Sequence, residues 1–316
     1  MLGRFLARRL VMLLASLLVA SFVIFAALYA APGNPISALS GGRSLPAASM
    51  AVLEQRYHLN DPFFVQYWYW LSGALHGNFG ISITLRENVS TLIASRIWTT
   101  AGLVAYASVL IVIFGIGLGI LSGLRRGLVD TGTLLVTAVS AAIPGFVAAI
   151  VLILVFAVNL GWFPALGNGT GLVGNLRHLT LPAVALAISS LAIVARVTRA
   201  AVRTEAGREH VQTAVSRGIP VRQRIRRHVL RNAAIPITTI TGITIASLIA
   251  LDAVIETAFS LNGLGAYLVQ SAQSKDLAVV QGISLVLVTA FVVVNLVVDL
   301  LYAVLDPRVT LGSRAQ

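Results

Sequence analysis

Six stretches of this chain, at residues 10–30, 99–122, 131–160, 179–195, 233–259 and 279–298, are almost free of charge. All but 179–195 approach or exceed the roughly 20 apolar residues that an α-helix needs to cross about 30 Å of hydrocarbon. No water is present there to satisfy backbone N–H and C=O groups, so the helix must satisfy them internally. The expected fold is therefore all-α, a polytopic membrane protein with six transmembrane helices. Composition agrees, with 57% hydrophobic and 11% charged residues, against roughly 45–50% and 25% in soluble domains.

The first run follows Arg4, Arg8 and Arg9 and begins like a secretory signal. It is too long for the roughly 7–15-residue apolar core of one, so it reads as a retained span. Pro144 interrupts the third run and Pro182 opens the fourth; neighbouring helices can re-satisfy the carbonyls that prolines leave unpaired.

The net charge of +12 is almost wholly arginine, with Lys275 the sole lysine. These charges fall between the spans rather than on a soluble basic face, which argues against nucleic-acid binding. One side of the membrane receives 17 basic residues, including ten arginines from Arg196 to Arg231. The other receives six, namely Arg43, Arg56, Arg86, Arg96, Arg177 and Lys275. The positive-inside rule then puts both termini in the cytoplasm. The chain reads as one membrane domain, residues 1–316, with an extracytoplasmic insertion at 31–98 and a cytoplasmic loop at 196–235. The aromatics around Val65–Leu71 read as interfacial anchors.

Cysteine is absent, and His58, His76, His178, His210 and His228 have no metal-ligand spacing. Neither a metal site nor a catalytic constellation is expected, so a membrane-embedded enzyme is a remote alternative. Gly115, Gly119 and Gly123 recur every fourth residue on one helix face, where another helix can approach closely. Gly115, Gly117 and Gly119 do not fit G-x-G-x-x-G, and they lie in a span rather than a strand-to-helix turn.

Between the fourth and fifth runs, residues 209–236 read as two short helices joined at Gly218. Glycine suits the left-handed residue after a helix end, and Pro220 can open the next helix. Val221, Ile225 and Val229 share one face of that helix, while Arg222, Arg224, Arg226 and Arg227 cover much of the rest. Such an amphipathic hairpin could lie on anionic lipid, stay solvated, or dock into a partner protein.

Glu209, Thr213, Ala214, Gly218, Arg231, Asn232, Ala233 and Pro236 resemble the cytoplasmic loop motif of permeases from binding-protein-dependent ABC importers. The resemblance extends over nearly the whole chain and points to the dipeptide, oligopeptide and nickel branch. It is carried by Ala7-Arg8-Arg9-Leu10, Ala31-Pro32-Gly33-Asn34-Pro35, Tyr57-His58-Leu59-Asn60-Asp61-Pro62 and Val65-Gln66-Tyr67. Gly77-Asn78-Phe79-Gly80, Glu256-Thr257-Ala258-Phe259-Ser260 and Gly263-Leu264-Gly265 follow in order. Asp299-Leu300-Leu301-Tyr302 and Asp306-Pro307-Arg308 complete it. Asn262 departs from the proline expected before Gly-Leu-Gly.

The resemblance implies a type I importer permease that moves di- or oligopeptides, with nickel or another small solute as the alternative. It makes Glu209–Gly218 a coupling helix seated in an ATPase subunit. It also implies a homologous second permease, two ATPase subunits, an extracytoplasmic substrate-binding protein and a bacterial cytoplasmic membrane. Lys275 lies between Ser274 and Asp276, outside any G-x-x-x-x-G-K-[ST] loop. This chain is thus expected to bind no cofactor, and ATP and Mg²⁺ belong to the partner ATPases.

Asp252 and Glu256 lie one helical turn apart in the fifth run. Counting from Pro236 at about 1.5 Å per residue puts them roughly 24 and 30 Å along the helix, toward the outer mouth. Intramembrane acids are functional candidates. For Glu256, binding the outer hairpin together and contacting substrate are equally open. Asp299, near the inner end of the sixth run, is placed to pair with a cytoplasmic arginine.

Overall fold

A computed structural model of the chain describes residues 2–30 and 60–305. The motifs at 31–35, 57–59 and 306–308, with Arg43, Arg56, His58 and Arg314, lie outside the described residues. In order the helices are α1 (Leu2–Tyr29), α2 (Phe63–Leu75), α3 (Val89–Leu124), α4 (Leu128–Ala142) and α5 (Gly145–Asn159). There follow α6 (Gly171–Ala206), α7 (Glu209–Ser216), α8 (Val221–Ala258), α9 (Leu264–Gln273) and α10 (Leu277–Leu305). Helices α3, α5 and α8 contain π-helical stretches at Ile111–Ile116, Ile153–Asn159 and Ile225–Leu230.

Helices α1, α3, α6, α8 and α10 are each long and apolar enough to cross a membrane. The run at 131–160, interrupted by Pro144, forms two helices, α4 and α5, bent by 100°. The cause of the bend is local. Ile143, which precedes Pro144, is extended at φ −87° and ψ 116°, as steric conflict with the proline ring favours. Pro144 then caps the start of α5.

The fourth run proves longer than its apolar core. α6 has 36 residues, with Pro182 buried inside it rather than at its start, and at about 1.5 Å per residue it runs about 54 Å. Over half of its most apolar window is buried, against 11% for α1. A helix surrounded by other helices needs small side chains more than lipid-facing bulk, and Ala183, Ala185, Ala187, Ala192 and Ala195 are all buried here. Leu103, Ala107 and Ile111 of α3, Ala149 of α5, and Leu248 and Ile255 of α8 close the core around it. The second run also starts earlier than expected, so the last part of the 31–98 insertion belongs to α3.

The glycine face of α3 meets α6 as its spacing predicts. An added Cβ on Gly119 would lie 2.5 Å from Thr198 Cβ and 2.7 Å from the Ala195 carbonyl oxygen. On Gly123 it would lie 2.8 Å from Val202 Cβ. At the periphery α1 rests on α10, with Arg9 paired to Asp299 at 2.5 Å. The aromatics of α2 divide. Phe63, Tyr67 and Trp70 pack on Phe22, Phe25 and Tyr29 of α1, while Phe64, Trp68 and Tyr69 are exposed. Ser21 Oγ and Tyr67 Oη hydrogen-bond at 2.8 Å across this contact.

Two neighbouring glycines of α3 give a controlled test. Gly119→Ala should destabilise the purified protein by about 1–3 kcal/mol, the usual cost of overpacking. An added Cβ on Gly117 meets nothing within 4 Å, so Gly117→Ala should stay within about 0.5 kcal/mol of the parent. Thermal unfolding in detergent reads both, and equal effects would contradict the packing.

Candidate functional site

The arginine-rich ends of α6 and α8 carry α7 between them. Val211 and Ala214, three residues apart on one face of α7, are 4% and 3% exposed. Val211 packs with Val202 of α6 and with Val229, Ala233 and Ile237 of α8. The remaining face presents Glu209, Gln212, Thr213, Val215 and Ser216 to the outside. Thr213 Oγ1 donates back to the Glu209 carbonyl at 3.0 Å.

The end of α7 is fixed by its backbone. Ile219 N donates to Ala214 O at 3.1 Å and Gly218 N to Val215 O at 2.9 Å, the paired bonds of a Schellman motif. Gly218 has φ +68° and Pro220 immediately precedes the first residue of α8. The second helix of the hairpin is not short, because it continues unbroken into the fifth span. Val229 is buried as the face pattern requires, but Val221 is 58% exposed.

The loop motif therefore splits by role. Glu209, Thr213 and Gly218 lie on the exposed surface, as do Arg231 and Pro236 farther along α8. Ala214 points inward, and Asn232 ties the two helices together. Asn232 Nδ2 donates to the His228 carbonyl at 2.9 Å and lies 3.1 Å from His210 Nε2. His210 was not singled out from the sequence. The only sequence signal was the i, i+4 spacing of His228 and Asn232, which says nothing of a partner on α7.

At the far end of α8, Glu256 is fully buried. Its Oε1 accepts from Thr100 Oγ1 at 2.5 Å and its Oε2 from Ala266 N at 2.9 Å. Thr100 Oγ1 in turn accepts from Leu264 N at 2.8 Å. Two otherwise orphaned N–H groups at the start of α9 are thus satisfied, and α3, α8 and α9 are joined. Both glycines of Gly263-Leu264-Gly265 follow from this arrangement. A Cβ on Gly263 would collide with the Glu256 carboxylate, and one on Gly265 would lie 2.5 Å from Ala253 Cα. With both oxygens engaged and no exposed surface, Glu256 is built to hold this end of the bundle together. Asp252 is equally buried, but its carboxylate oxygens find no hydrogen-bond partner among the described residues.

Asn262 explains its own departure from proline. Its N–H donates to Asn168 Oδ1 at 2.7 Å, and Asn168 Nδ2 donates to Thr99 Oγ1 at 2.9 Å. Proline has no N–H for this bond. Beside the turn lies an open groove lined by Thr257, Ser260, Asn262, Gln270 and Gln273. Among the described residues, no group of three or more His, Cys, Asp or Glu side chains could hold a metal ion.

If the Glu256 tie holds α3, α8 and α9 together, Glu256→Gln should lower stability by about 1–3 kcal/mol, because an amide cannot accept both bonds in the same way. Gly263→Ala should lower the unfolding temperature further, by displacing the carboxylate as a whole. Unchanged melting of both variants would refute the tie.

Comparison with known proteins matches residues 115–311 to the family model described as the inner membrane component of binding-protein-dependent transport systems. Residues 1–104 match the model of its N-terminal region. The oligopeptide transport system permease protein AppB of Bacillus subtilis is 35% identical, over 96% of this chain and 98% of its own. OppB of Escherichia coli K12, also named an oligopeptide permease, is 34% identical over 97% and 99%. The glutathione permease GsiC of the same strain is 33% identical over 96% and 97%. A chain of the MetNI methionine ABC transporter in an inward-facing conformation shares the fold, with a TM-score of 0.57 and 18% identity over 68% of this chain and 96% of that one. With a bundle of membrane-length helices, a type I permease-like fold and family models covering both halves of its length, the chain belongs to the inner-membrane permease components of binding-protein-dependent ABC importers, which are transport subunits rather than enzymes.

Proposed function

We propose that this chain is the permease subunit of an ATP-driven importer that carries di- or oligopeptides across the bacterial cytoplasmic membrane. The α7 hairpin is its contact with an ATPase subunit, and both termini face the cytoplasm. A second, homologous permease completes the pathway, an extracytoplasmic binding protein delivers the peptide, and two partner ATPases bind ATP and Mg²⁺. The substrate class is supported by the names of the oligopeptide and glutathione permeases, since glutathione is itself a small peptide.

The observation that carries the coupling role is the construction of α7. It is held away from the helix core, its exposed face is free to meet a partner, and its inner face is packed on both α6 and α8. A push on α7 is therefore delivered to two long helices at once. α6 is surrounded by α3, α4, α5 and α8, so its displacement re-aims the rest of the bundle. Glu209, Thr213 and Gly218 are the contact residues, with Arg231 and Pro236 bordering them on α8. Ala214 and Asn232 hold the shape.

Gly218 offers a clean test, because an added Cβ there meets nothing within 4 Å and only its φ of +68° resists a side chain. A β-branched residue in that conformation is strained by about 1–3 kcal/mol, whereas Asn tolerates it. In vesicles holding the complete complex, Gly218→Val should reduce peptide uptake and binding-protein-stimulated hydrolysis about tenfold. Gly218→Asn should stay near the parent, and Glu209→Lys should weaken ATPase attachment. Normal attachment, stimulation and uptake in Gly218→Val would end the coupling assignment.

Orientation is open to single-cysteine labelling, because the chain has no native cysteine. Ser216→Cys should react with an impermeant maleimide only from the cytoplasmic side, and Ser274→Cys only from outside. The reverse pattern would invert the topology.

A further inference from the structure

α4 presents a problem of attachment. None of its side chains joins a buried apolar cluster among the described residues, and Leu128, Leu135, Val136 and Val139 point outward. Its inward face is Asp130, Thr133 and Thr137, spaced to share one side of the helix. Opposite them α6 sets Arg196, Arg199 and Arg203, with the same three- and four-residue spacing.

Asp130 is the centre of this contact. Arg199 Nε donates to Oδ1 at 2.5 Å and Arg199 Nη2 to Oδ2 at 2.8 Å. Arg203 Nη2 donates to Oδ2 at 3.0 Å, and Ser122 Oγ at the end of α3 to Oδ1 at 2.6 Å. The Asp130 side chain is 13% exposed and that of Arg199 20%. Two turns along α4, Arg196 Nη2 donates to the Thr137 carbonyl at 3.0 Å. A bidentate arginine fork fixes orientation as well as distance, so one carboxylate sets three helices in register.

We propose that Asp130 is a positioning residue that makes α4 move as one body with α6, so that a displacement of α7 reaches the bent α4–α5 pair. The inference rests on the coupling role of α7 proposed above. Arg199 and Arg203 lie on the segment of α6 between its core and α7, where a push on the hairpin arrives first. α4 is held there by charge and hydrogen bonds rather than by apolar packing. Loss of the carboxylate therefore releases α4 while leaving the α7 surface and the α3–α6 contact in place.

The test uses the complete complex in vesicles, with a radiolabelled tripeptide presented by the binding protein. Asp130→Asn should keep ATPase attachment and stimulated hydrolysis but lower peptide taken up per ATP hydrolysed by roughly threefold or more, as substitutions within coupling networks do. A purely structural defect would lower uptake and hydrolysis together and leave that ratio unchanged. Asp130→Arg combined with Arg199→Asp should recover part of it. If Asp130→Asn does not assemble, Arg203→Gln removes a single bond of the cluster and should lower the ratio to a lesser degree. Spin labels on Leu128→Cys and Thr204→Cys give a second reading. Their distance should stay narrow with and without trapped ATP in the parent, and broaden in Asp130→Asn. An unchanged ratio or an unbroadened distance overturns the proposal. A parent complex that takes up no peptide on ATP would instead remove the functional reading, while the label distances still report whether Asp130 holds α4.

Discussion

The close approach of α3 to α6 governs the arrangement of the other helices. In hydrocarbon, burying an apolar side chain against protein rather than lipid gains little, so helices associate through van der Waals fit and polar contacts. Gly115, Gly119 and Gly123 allow the α3 backbone to touch Val194, Thr198 and Val202. With that contact formed, the alanine-rich remainder of α6 is available to α5 and α8, and Leu103, Ile111, Leu248 and Ile255 fill the space between. The same device recurs where α8 meets α10, since a Cβ on Gly242 would lie 2.2 Å from Val298 Cγ1.

Polar side chains then set what small residues cannot, namely register and the ends. Glu256 and Asp130 solve related problems at opposite ends of the bundle. Each carboxylate accepts bonds from more than one helix, and each is largely or wholly removed from solvent. They differ in partner. Glu256 faces neutral donors, a hydroxyl and a backbone N–H, while Asp130 faces two guanidinium groups. A buried carboxylate with exact hydrogen-bond partners is costly to break because removal of one side strands the other. Near the aqueous boundary, an arginine released from Asp130 can find water instead. The end held by Glu256 is thus fastened more permanently than the end beside α7.

Much of this was legible in the sequence because the governing signals are local. Apolar length located five spans, the four-residue glycine period identified the α3 contact face, and Gly218 with Pro220 marked the hairpin turn. The features that were not legible depend on partners distant in sequence. A span that faces other helices need not look like one that faces lipid, which is why α6 read as short and Pro182 as its start. Pro144 was visible as an interruption, yet the size of the bend follows from the extended conformation of Ile143. Asn262 looked like a defect in a motif until Asn168, on another segment, supplied its acceptor. Asp130 fell just before the apolar run that drew attention to α4, and its two arginines were counted only as part of a basic loop. For Glu256 the sequence left structure and substrate contact equally open. Only the donors from Thr100 and Ala266, and the steric need for Gly263, favour the first.

The two helices packed against α7 differ in stiffness. An α-helix is stiff while its i to i−4 ladder is intact, and it bends where proline removes an N–H or where a π-helical stretch widens the ladder. α8 has both features near α7, the π-helical stretch Ile225–Leu230 and then Pro236. α6 has neither at that end; its proline, Pro182, lies toward the opposite end. A displacement of α7 of the kind proposed would therefore be absorbed partly by the start of α8 and transmitted more faithfully along α6. This difference gives the Asp130 cluster its position. Attached to the stiff helix between Pro182 and α7, it would pass such a displacement to α4 before any compliant point, while the far end of α8 is anchored through Glu256. The sequence thus sets a stiff helix on one side of α7 and a compliant one on the other, the latter fastened at its far end through Glu256.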